Sequence, residues 1–290
     1  TICRLIKQVY LYWEIIMLNI NTNYAAAFAS NAAKSSSQSL NSAMEKLSTG
    51  SRINYARDDA AGQAIATRLT AEIQGLSAAS RNAADAQSML DTADGAIEEV
   101  SALLLRMREL AVQSANGTLT DSDRVHTDAE FQQLEAEITR ISDNTSWAGQ
   151  KLLDGSASSL VFQIGEGANQ TITVAITDFA ATAGAINTHT RTVSTAANAQ
   201  LAITALDAAI GNVSQQRGNL GAVSNRLSST MNNLDQINVN LSASKGRIQD
   251  ADFAAETGNL AKGQILQQAA TAMIAQANAS KSSVLTLVRG

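Results

Sequence analysis

Apolar residues in the first half of the chain recur at alternating spacings of three and four. This spacing places them on one face of an α-helix, in the a and d positions of a coiled-coil heptad. The series runs through Leu90, Ala93, Ile97, Val100, Leu104, Met107 and Ala111. Such a helix needs a partner, because its apolar face would otherwise remain in water.

Two further segments carry the same periodicity. They are Phe131, Leu134, Ile138 and Ile141, and then Leu220, Val223, Leu227, Leu234, Ile237, Leu241 and Ile248, with Thr230 and Ser244 as polar exceptions. We expect the first series to pack against the last, with Leu90, Ile97 and Leu104 facing Leu220, Leu227 and Leu234. The complete predicted seam is Leu90, Ile97, Val100, Leu104, Leu220, Leu227, Leu234 and Leu241.

Residues typical of turns separate these helices. Asn116-Gly117 follows the first series, Gly149 and Gly155 follow the second, and Gly50 follows an earlier helix. Between Ser159 and Asp178 the apolar period changes to two, which predicts a β-hairpin. Its apolar positions are Val161, Ile172, Val174 and Ile176, around a turn at residues 165–169.

The predicted fold class is mainly α. It is a long antiparallel helical bundle or coiled coil built from the N- and C-terminal segments, with a small β-hairpin region in the middle. The expected divisions are an N-terminal extension (1–16), an N-terminal helix followed by a loop (17–60), two parts of a helical domain (61–153 and 201–248), an outward variable segment (154–200) and a C-terminal helix (249–290).

The two ends are rich in small and polar residues. Tyr24 to Ala43 and Ala261 to Ala279 contain mostly Ala, Ser, Asn and Gln. The few large apolar residues there would bury little surface within one chain. We therefore expect both ends to become ordered only on assembly, as disordered segments fold on binding.

Composition narrows the possible functions. The chain has 4% aromatic residues, no proline and a net charge of −5, which argues against nucleic-acid binding and favours long helices. A single cysteine, Cys3, excludes a disulfide framework, and no apolar run is long enough for a membrane span.

Candidate catalytic groups are few, so neither an enzyme nor a cofactor is predicted. Asp58-Asp59 lacks an accompanying histidine or metal-ligand spacing, and a helix start or a salt link between subunits explains it better than catalysis or cation binding. His126 and His189 are far apart in the sequence. Gly165-Glu166-Gly167 is an incomplete dinucleotide motif, better explained as a hairpin turn.

The first 16 residues differ in composition from the rest. Lys7, Gln8 and Glu14 interrupt what would otherwise be the apolar stretch of a signal peptide, and no small-residue cleavage site follows. We interpret Met17 as the natural start and residues 1–16 as upstream or added sequence. The alternative is a genuine extension that anchors or targets the protein.

Several motifs at both ends resemble those of bacterial flagellins. The N-terminal ones are Ile20-Asn21-Thr22-Asn23, residues 47–54 (LSTGSRIN), residues 58–66 (DDAAGQAIA), Arg81-Asn82-Ala83, residues 92–96 (TADGA), residues 106–113 (RMRELAVQ) and residues 149–153 (GQKLL). The C-terminal ones are residues 217–222 (RGNLGA), residues 244–254 (SKGRIQDADFA), Gln276-Ala277-Asn278 and Val284-Leu285.

This resemblance implies a structural subunit that polymerises into the flagellar filament outside the cell. The terminal helices would form an inner tube and the heptad-bearing helices an outer tube. The implied partners are further copies of the chain, an export chaperone, the filament cap and hook-junction proteins. The assembly residues would be Phe28, Leu40, Leu47, Arg52, Asp58, Asp59, Phe253, Leu266, Met273, Ile274, Val284 and Leu285.

The resemblance also suggests an epitope for a host innate immune receptor at Arg106, Leu110 and Glu130. Leu105 departs from the family pattern, which has Gln at that position in many members that are recognised. Two other functions stay open at this point. One is a flagellin homologue that binds polysaccharide or host molecules at the cell surface, and the other is a hook-filament junction protein.

Overall fold

The computed structural model describes residues 22–180, 186 and 191–289. Its elements, in chain order, are α1 (Tyr24–Thr49), α2 (Ala60–Ala115), α3 (Asp121–Asn144), β1 (Ser146–Trp147), β2 (Gln150–Lys151), β3 (Leu160–Gln163), β4 (Thr171–Val174), α4 (Ala196–Gln249) and α5 (Phe253–Arg289). The fold is mainly α with a small β region, as predicted. The predicted extension at residues 1–16 lies outside the described residues.

Local sequence chemistry explains where the helices begin and end. Helix α1 ends at Gly50, whose φ of 70° is a left-handed conformation that glycine adopts at little cost. Helix α3 begins with a capping box, in which Thr120 and Asp123 satisfy each other's backbone N–H groups. The predicted turns after α1, α2 and α3 are therefore confirmed.

The chain forms two compact units. The terminal unit combines residues 1–68 with residues 244–290, and the core unit comprises Leu69–Ala243. The division falls inside α2 and α4, because each of these helices contributes to both units.

The core unit is built around one large apolar cluster. It contains Leu90, Ile97, Val100 and Leu104 of α2, together with Leu220 and Leu227 of α4. Phe131 and Ile138 of α3 and Leu152 and Leu153 after it complete its centre. These apolar residues are almost fully excluded from water, which makes their burial the main source of stability for the unit.

Part of the predicted seam pairs differently. Leu234 belongs to a separate small cluster with Leu76 and Ala79, and Leu241 packs at its edge. Helices α2 and α4 run antiparallel, as the contact of Arg108 with Asp207 and the bond from Ser80 to Asp235 show. The prediction that Leu234 packs with Leu90, Ile97 and Leu104 is therefore wrong, because antiparallel order places it against the start of the α2 segment in this unit.

In place of Leu234, residues from the first turns of α4 pack in the same cluster as the α2 residues of the predicted seam. They are mostly small residues, namely Ala199, Ala202, Leu206, Ala209 and Val213. At the other end of α4, Ile237 of the predicted heptad is exposed. The apolar repeat therefore continues in the sequence beyond the point where it is buried in this unit.

The predicted hairpin is present as β3 and β4. The two strands are antiparallel, with Leu160 opposite Val174 and Gln163 opposite Thr171. Ile172 and Val174 are buried against the core, whereas Val161 is exposed. Val161 therefore does not contribute to the buried face of the hairpin as expected, because successive strand residues point to opposite faces.

Within the described ranges, none of the helices is long and apolar enough to cross a membrane.

Candidate assembly surfaces

Helices α1 and α5 pack along each other in the terminal unit, and we call them the terminal pair. Asn23 Nδ2 donates to the carbonyl of Ala277 at 3.1 Å at one end. Lys46 Nζ lies 3.2 Å from a carboxylate oxygen of Glu256 at the other end. These contacts show that the two helices are antiparallel and aligned over most of the length of α1.

The residues buried between the two helices are small. On α1 they are Ala29, Ser36 and Ala43, and on α5 they are Gly263 and Ala270. Each set has a spacing of seven residues, which keeps small side chains on one stripe of each helix. The composition of both ends predicts small residues there but does not by itself place them on one stripe. The signal for it in the sequence is the heptad spacing of Ala, Ser and Gly residues.

Large apolar residues of the terminal pair are exposed to solvent instead of being buried between its two helices. Phe28 is 79% exposed and Met273 is 62% exposed, although both side chains are apolar. Tyr24, Ile265, Leu266 and Phe253 are also exposed. Leu40, Leu47 and Ile274 are partly buried. Exposed apolar surface of this kind is typical of interaction sites.

A groove of about 760 Å³ runs beside the buried stripe. Its walls are mostly small and polar, with Ser35, Ser39 and Ser42 on α1 and Asn259 and Lys262 on α5. Leu266 is the largest apolar side chain in the lining. The lining of the groove therefore combines polar side chains with one large apolar side chain.

The loop between α1 and α2 is tied to the junction of α4 and α5. Arg52 N donates to Gln249 O at 2.7 Å, and its guanidinium donates to Ile248 O at 2.7 Å. Ala251 N donates to Gly50 O at 2.9 Å. Three hydrogen bonds therefore join two segments that are far apart in the sequence.

Asp58 and Asp59 stabilise this loop and the helix after it. Asp58 Oδ2 accepts from the backbone N of Tyr55 at 3.0 Å and of Asn54 at 3.1 Å. These two hydrogen bonds lower the pKa of Asp58, and the bond from Tyr55 has the larger effect. Asp59 Oδ1 accepts from Gly62 N at 2.8 Å, as expected for a helix start.

The surface suggested for an immune receptor is only partly exposed. Arg106 pairs with Glu130 at 2.8 Å and with Glu109 at 2.6 Å, and these three side chains are exposed. Leu110 is only 1% exposed and belongs to the large core cluster. Its assignment to a contact surface is therefore wrong for the folded subunit, because it faces the interior of the bundle. The neighbouring Leu105 is exposed.

No group of three or more His, Cys, Asp or Glu side chains within the described ranges is arranged to hold a metal ion. His189, Thr1 to Ile16 and their surroundings fall outside those ranges. Val284 and Leu285 lie in α5, in a stretch whose side chains are not described.

Comparison with known proteins identifies both helical ends. Residues 20–158 match the bacterial flagellin N-terminal helical region, and residues 203–288 match the bacterial flagellin C-terminal helical region. Flagellin of Halalkalibacterium halodurans is 46% identical over 249 residues, which are 85% of this chain and 91% of that protein. Flagellin of Bacillus subtilis is 40% identical over 306 residues, 94% of this chain and all of that protein.

A crystal structure of Bacillus cereus flagellin also matches, with 35% sequence identity and a TM-score of 0.48 over 53% of this chain and 88% of that one. The relatives favour a filament subunit over a surface-binding or junction protein. The chain belongs to the bacterial flagellin family and is a structural subunit of the extracellular flagellar filament.

Proposed function

We propose that the terminal pair carries the contacts between neighbouring subunits, whereas the core unit maintains the fold of each subunit. The observation that supports this division is the distribution of apolar residues in the terminal pair, which is the reverse of that in a folded core. Small residues such as Ser36 and Gly263 lie between its helices, and large apolar ones such as Phe28 and Met273 face outward. The outward residues gain stability only when another chain covers them.

Burial energies support this proposal. Fully burying a large apolar side chain stabilises a protein by about 1.5 to 3 kcal/mol. Several such residues on each copy would therefore give a substantial driving force for polymerisation. The small residues inside the pair contribute less, so we expect α1 and α5 to become fully ordered only in the polymer.

The proposed assembly surface extends beyond the most exposed residues. It includes the partly buried Leu40, Leu47 and Ile274 at the edges of the terminal pair. It also includes Leu266 beside the groove and Phe253 at the start of α5. Val284 and Leu285 would add to it near the C-terminal end of α5.

The loop residues have a supporting role in this proposal. Arg52, Asp58 and Asp59 hold the α1–α2 loop against the α4–α5 junction by bonds within one chain. This fixes the point where α1 and α5 begin to pair. A further salt link from these residues to a neighbouring subunit stays a prediction.

We further infer that the accessory partners meet the same terminal helices. An export chaperone would cover the apolar face of α5 before polymerisation, and the filament cap and hook-junction proteins would contact the ends of the polymer. Contact with a host innate immune receptor would involve Arg106 and Glu130, which are exposed.

The experiment that tests the assembly surface uses paired substitutions. We expect Phe28→Ser combined with Met273→Ser to abolish filament formation, measured by sedimentation and electron microscopy. The unfolding transition of the core unit should not change, because neither residue lies in it.

The control is Val239→Ser. Val239 is 63% exposed, but it lies on α4 within the core unit. Filaments of normal yield are expected from this variant. Normal filaments from the double variant, or an equal loss in the control, would contradict the proposed assignment.

A further inference from the structure

The turn between α2 and α3 contains the single Asn-Gly dipeptide of the sequence, at Asn116-Gly117. Helix α2 ends at Ala115, and Thr120 caps α3, so the dipeptide lies between two fixed helix ends. Both residues are exposed to water. We propose that Asn116 is a site of spontaneous deamidation, a covalent modification that changes the charge and the backbone of this turn.

The conformation of the turn favours this reaction. Asn116 Oδ1 accepts a hydrogen bond from the backbone N of Thr118 at 3.2 Å. The side-chain carbonyl is therefore folded back over the Gly117 peptide, in the arrangement of an Asx-turn. The attacking atom, Gly117 N, belongs to the peptide that this turn encloses. The Thr118 N–H also stabilises the negative charge that develops on Oδ1 during attack.

Glycine at position 117 removes the main steric obstacle to attack by its backbone nitrogen on Asn116 Cγ. A Cβ built at this position would meet no atom within 4 Å, so the space around the peptide is open. Glycine also gives the backbone the freedom to bring its nitrogen to the Asn116 Cγ atom.

The reaction is balanced with water as the only co-reactant. Gly117 N loses its proton and forms a bond to Asn116 Cγ, which gives a five-membered cyclic imide. The bond from Cγ to Nδ2 breaks, and Nδ2 leaves as ammonia with the proton. Water then opens the imide at one of its two carbonyl carbons. The products are an ordinary aspartate or a β-linked isoaspartate, and no atom is oxidised or reduced.

The isoaspartate product would disturb a specific contact. The main-chain carbonyl of Asn116 accepts from the Arg124 guanidinium at 3.0 Å and from Leu119 N at 3.4 Å. In the β-linked product the former Cβ and Cγ atoms of Asn116 enter the backbone, and this main-chain carbonyl becomes the free α-carboxylate outside the chain path, so its hydrogen bonds no longer join backbone to helix in the same geometry. The new carboxylate also joins the negative charges of Asp121 and Asp123 in the same turn. Modification at this position would thus loosen the connection of α3 to α2.

The test is peptide mapping of the full-length chain after incubation at neutral and mildly alkaline pH. We expect the peptide with Asn116 to lose ammonia and gain a carboxylate several-fold faster than the peptide with Asn169. Asn169 is the control because it is also exposed in a loop, but Gln170 follows it. Faster conversion at alkaline pH is expected, since the attacking amide must be deprotonated.

Two variants test whether the conversion depends on the Asn116-Gly117 dipeptide. Gly117→Ala should slow the conversion several-fold and keep the circular dichroism spectrum unchanged, because its Cβ meets open space. Asn116→Gln should slow it further, because attack would require a larger ring. Equal rates at Asn116 and Asn169, or a rate that Gly117→Ala leaves unchanged, would overturn the proposal.

Discussion

The hydroxyl group of Ser36 on α1 donates a 2.9 Å hydrogen bond to the main-chain carbonyl of Gly263 on α5. This contact requires the two helix backbones to approach closely. A Cβ at Gly263 would lie 3.3 Å from Leu40 Cδ1 and 3.5 Å from Leu40 Cα, so any larger side chain would meet backbone as well as side-chain atoms. Two residues that are distant in sequence thus set the spacing of the terminal pair.

Replacing Gly263 by leucine should separate the terminal pair. The added side chain has no room beside Leu40, and overpacking of this kind costs about 1 to 3 kcal/mol. We expect the variant to form no filaments in a sedimentation assay, while the core unit unfolds at its normal temperature. Gly258→Leu is the matched control, because Gly258 lies on the same helix and a Cβ there meets nothing within 4 Å. A polymerisation defect of equal size in the control would argue against a role for helix spacing.

Arg124 is expected to contribute far more to stability than a surface arginine on the same helix. Its side chain is buried, and it donates to the carbonyls of Ser114 at 2.8 Å and Asn116 at 3.0 Å. Arg124→Met would leave these carbonyls at the end of α2 without that donor, at a cost of about 1 to 3 kcal/mol. The free energy of unfolding from urea titration measures this loss.

The control for that experiment is Arg140→Met. Arg140 pairs with Glu137 at 2.7 Å on α3, but both side chains are exposed to solvent. Exposed pairs of this kind contribute roughly 0 to 1 kcal/mol. If the two variants were equally stable, the buried guanidinium would not be the cap of α2 that its contacts indicate.

Gly62→Ala should destabilise the start of α2. The new Cβ would lie 2.8 Å from Ile53 Cδ1, and Ile53 is buried. It would also crowd Asp59, whose carboxylate accepts from Gly62 N. We expect a loss of about 1 to 3 kcal/mol in the unfolding of the terminal unit. Gly95→Ala on the same helix meets open space and should instead stabilise the chain by roughly 0.5 to 1 kcal/mol.

Asp58 should make the terminal unit sensitive to acid. Backbone hydrogen bonds from Tyr55 and Asn54 lower its pKa in the folded state. The stabilisation is therefore complete above the pKa of the unfolded chain and is lost as the pH falls through the lower folded pKa. Asp58→Asn keeps a hydrogen-bond acceptor but carries no charge, so its melting temperature should depend less on pH in the acid range.

Arg57→Ala serves as the control for this pH dependence. The Arg57 guanidinium lies 3.9 Å from Asp58 and is largely exposed, so it contributes less to the lowered pKa than the backbone bonds do. The acid dependence of melting should therefore stay close to that of the unchanged chain. A flat profile in Arg57→Ala would show that the ion pair, and not the backbone, holds the carboxylate.

The large apolar residues made most of the core predictable from the sequence. Leu90, Ile97 and Leu104 stand at heptad spacing in a helix-favouring segment, and all three are buried together. The hairpin is predictable on its second strand, where Ile172 and Val174 alternate with polar residues and are buried, but not on its first, where the predicted Val161 is exposed. In both cases the side chains that fix the structure are the ones that differ most from their neighbours in hydrophobicity.

Contacts that depend on helix order or on small residues could not be predicted in this way. A heptad identifies the face of α4 but not which residue of α2 lies opposite, so the repeat alone does not show that Leu234 packs with Leu76 and Ala79. Ala202 and Ala209 give little hydrophobic contrast although both are buried. The burial of Arg124 also has no signal in the sequence, because charge ordinarily favours solvent and only the folded chain supplies its carbonyl partners.

The outward placement of Phe28 and Met273 has a thermodynamic consequence for the isolated protein. Any contact that forms between copies but not between unfolded chains shifts the folding equilibrium by mass action. The melting temperature of the terminal pair should then rise with protein concentration, while that of the core unit stays constant. In such a subunit, the concentration at the growing end of the filament determines how much of each chain is folded.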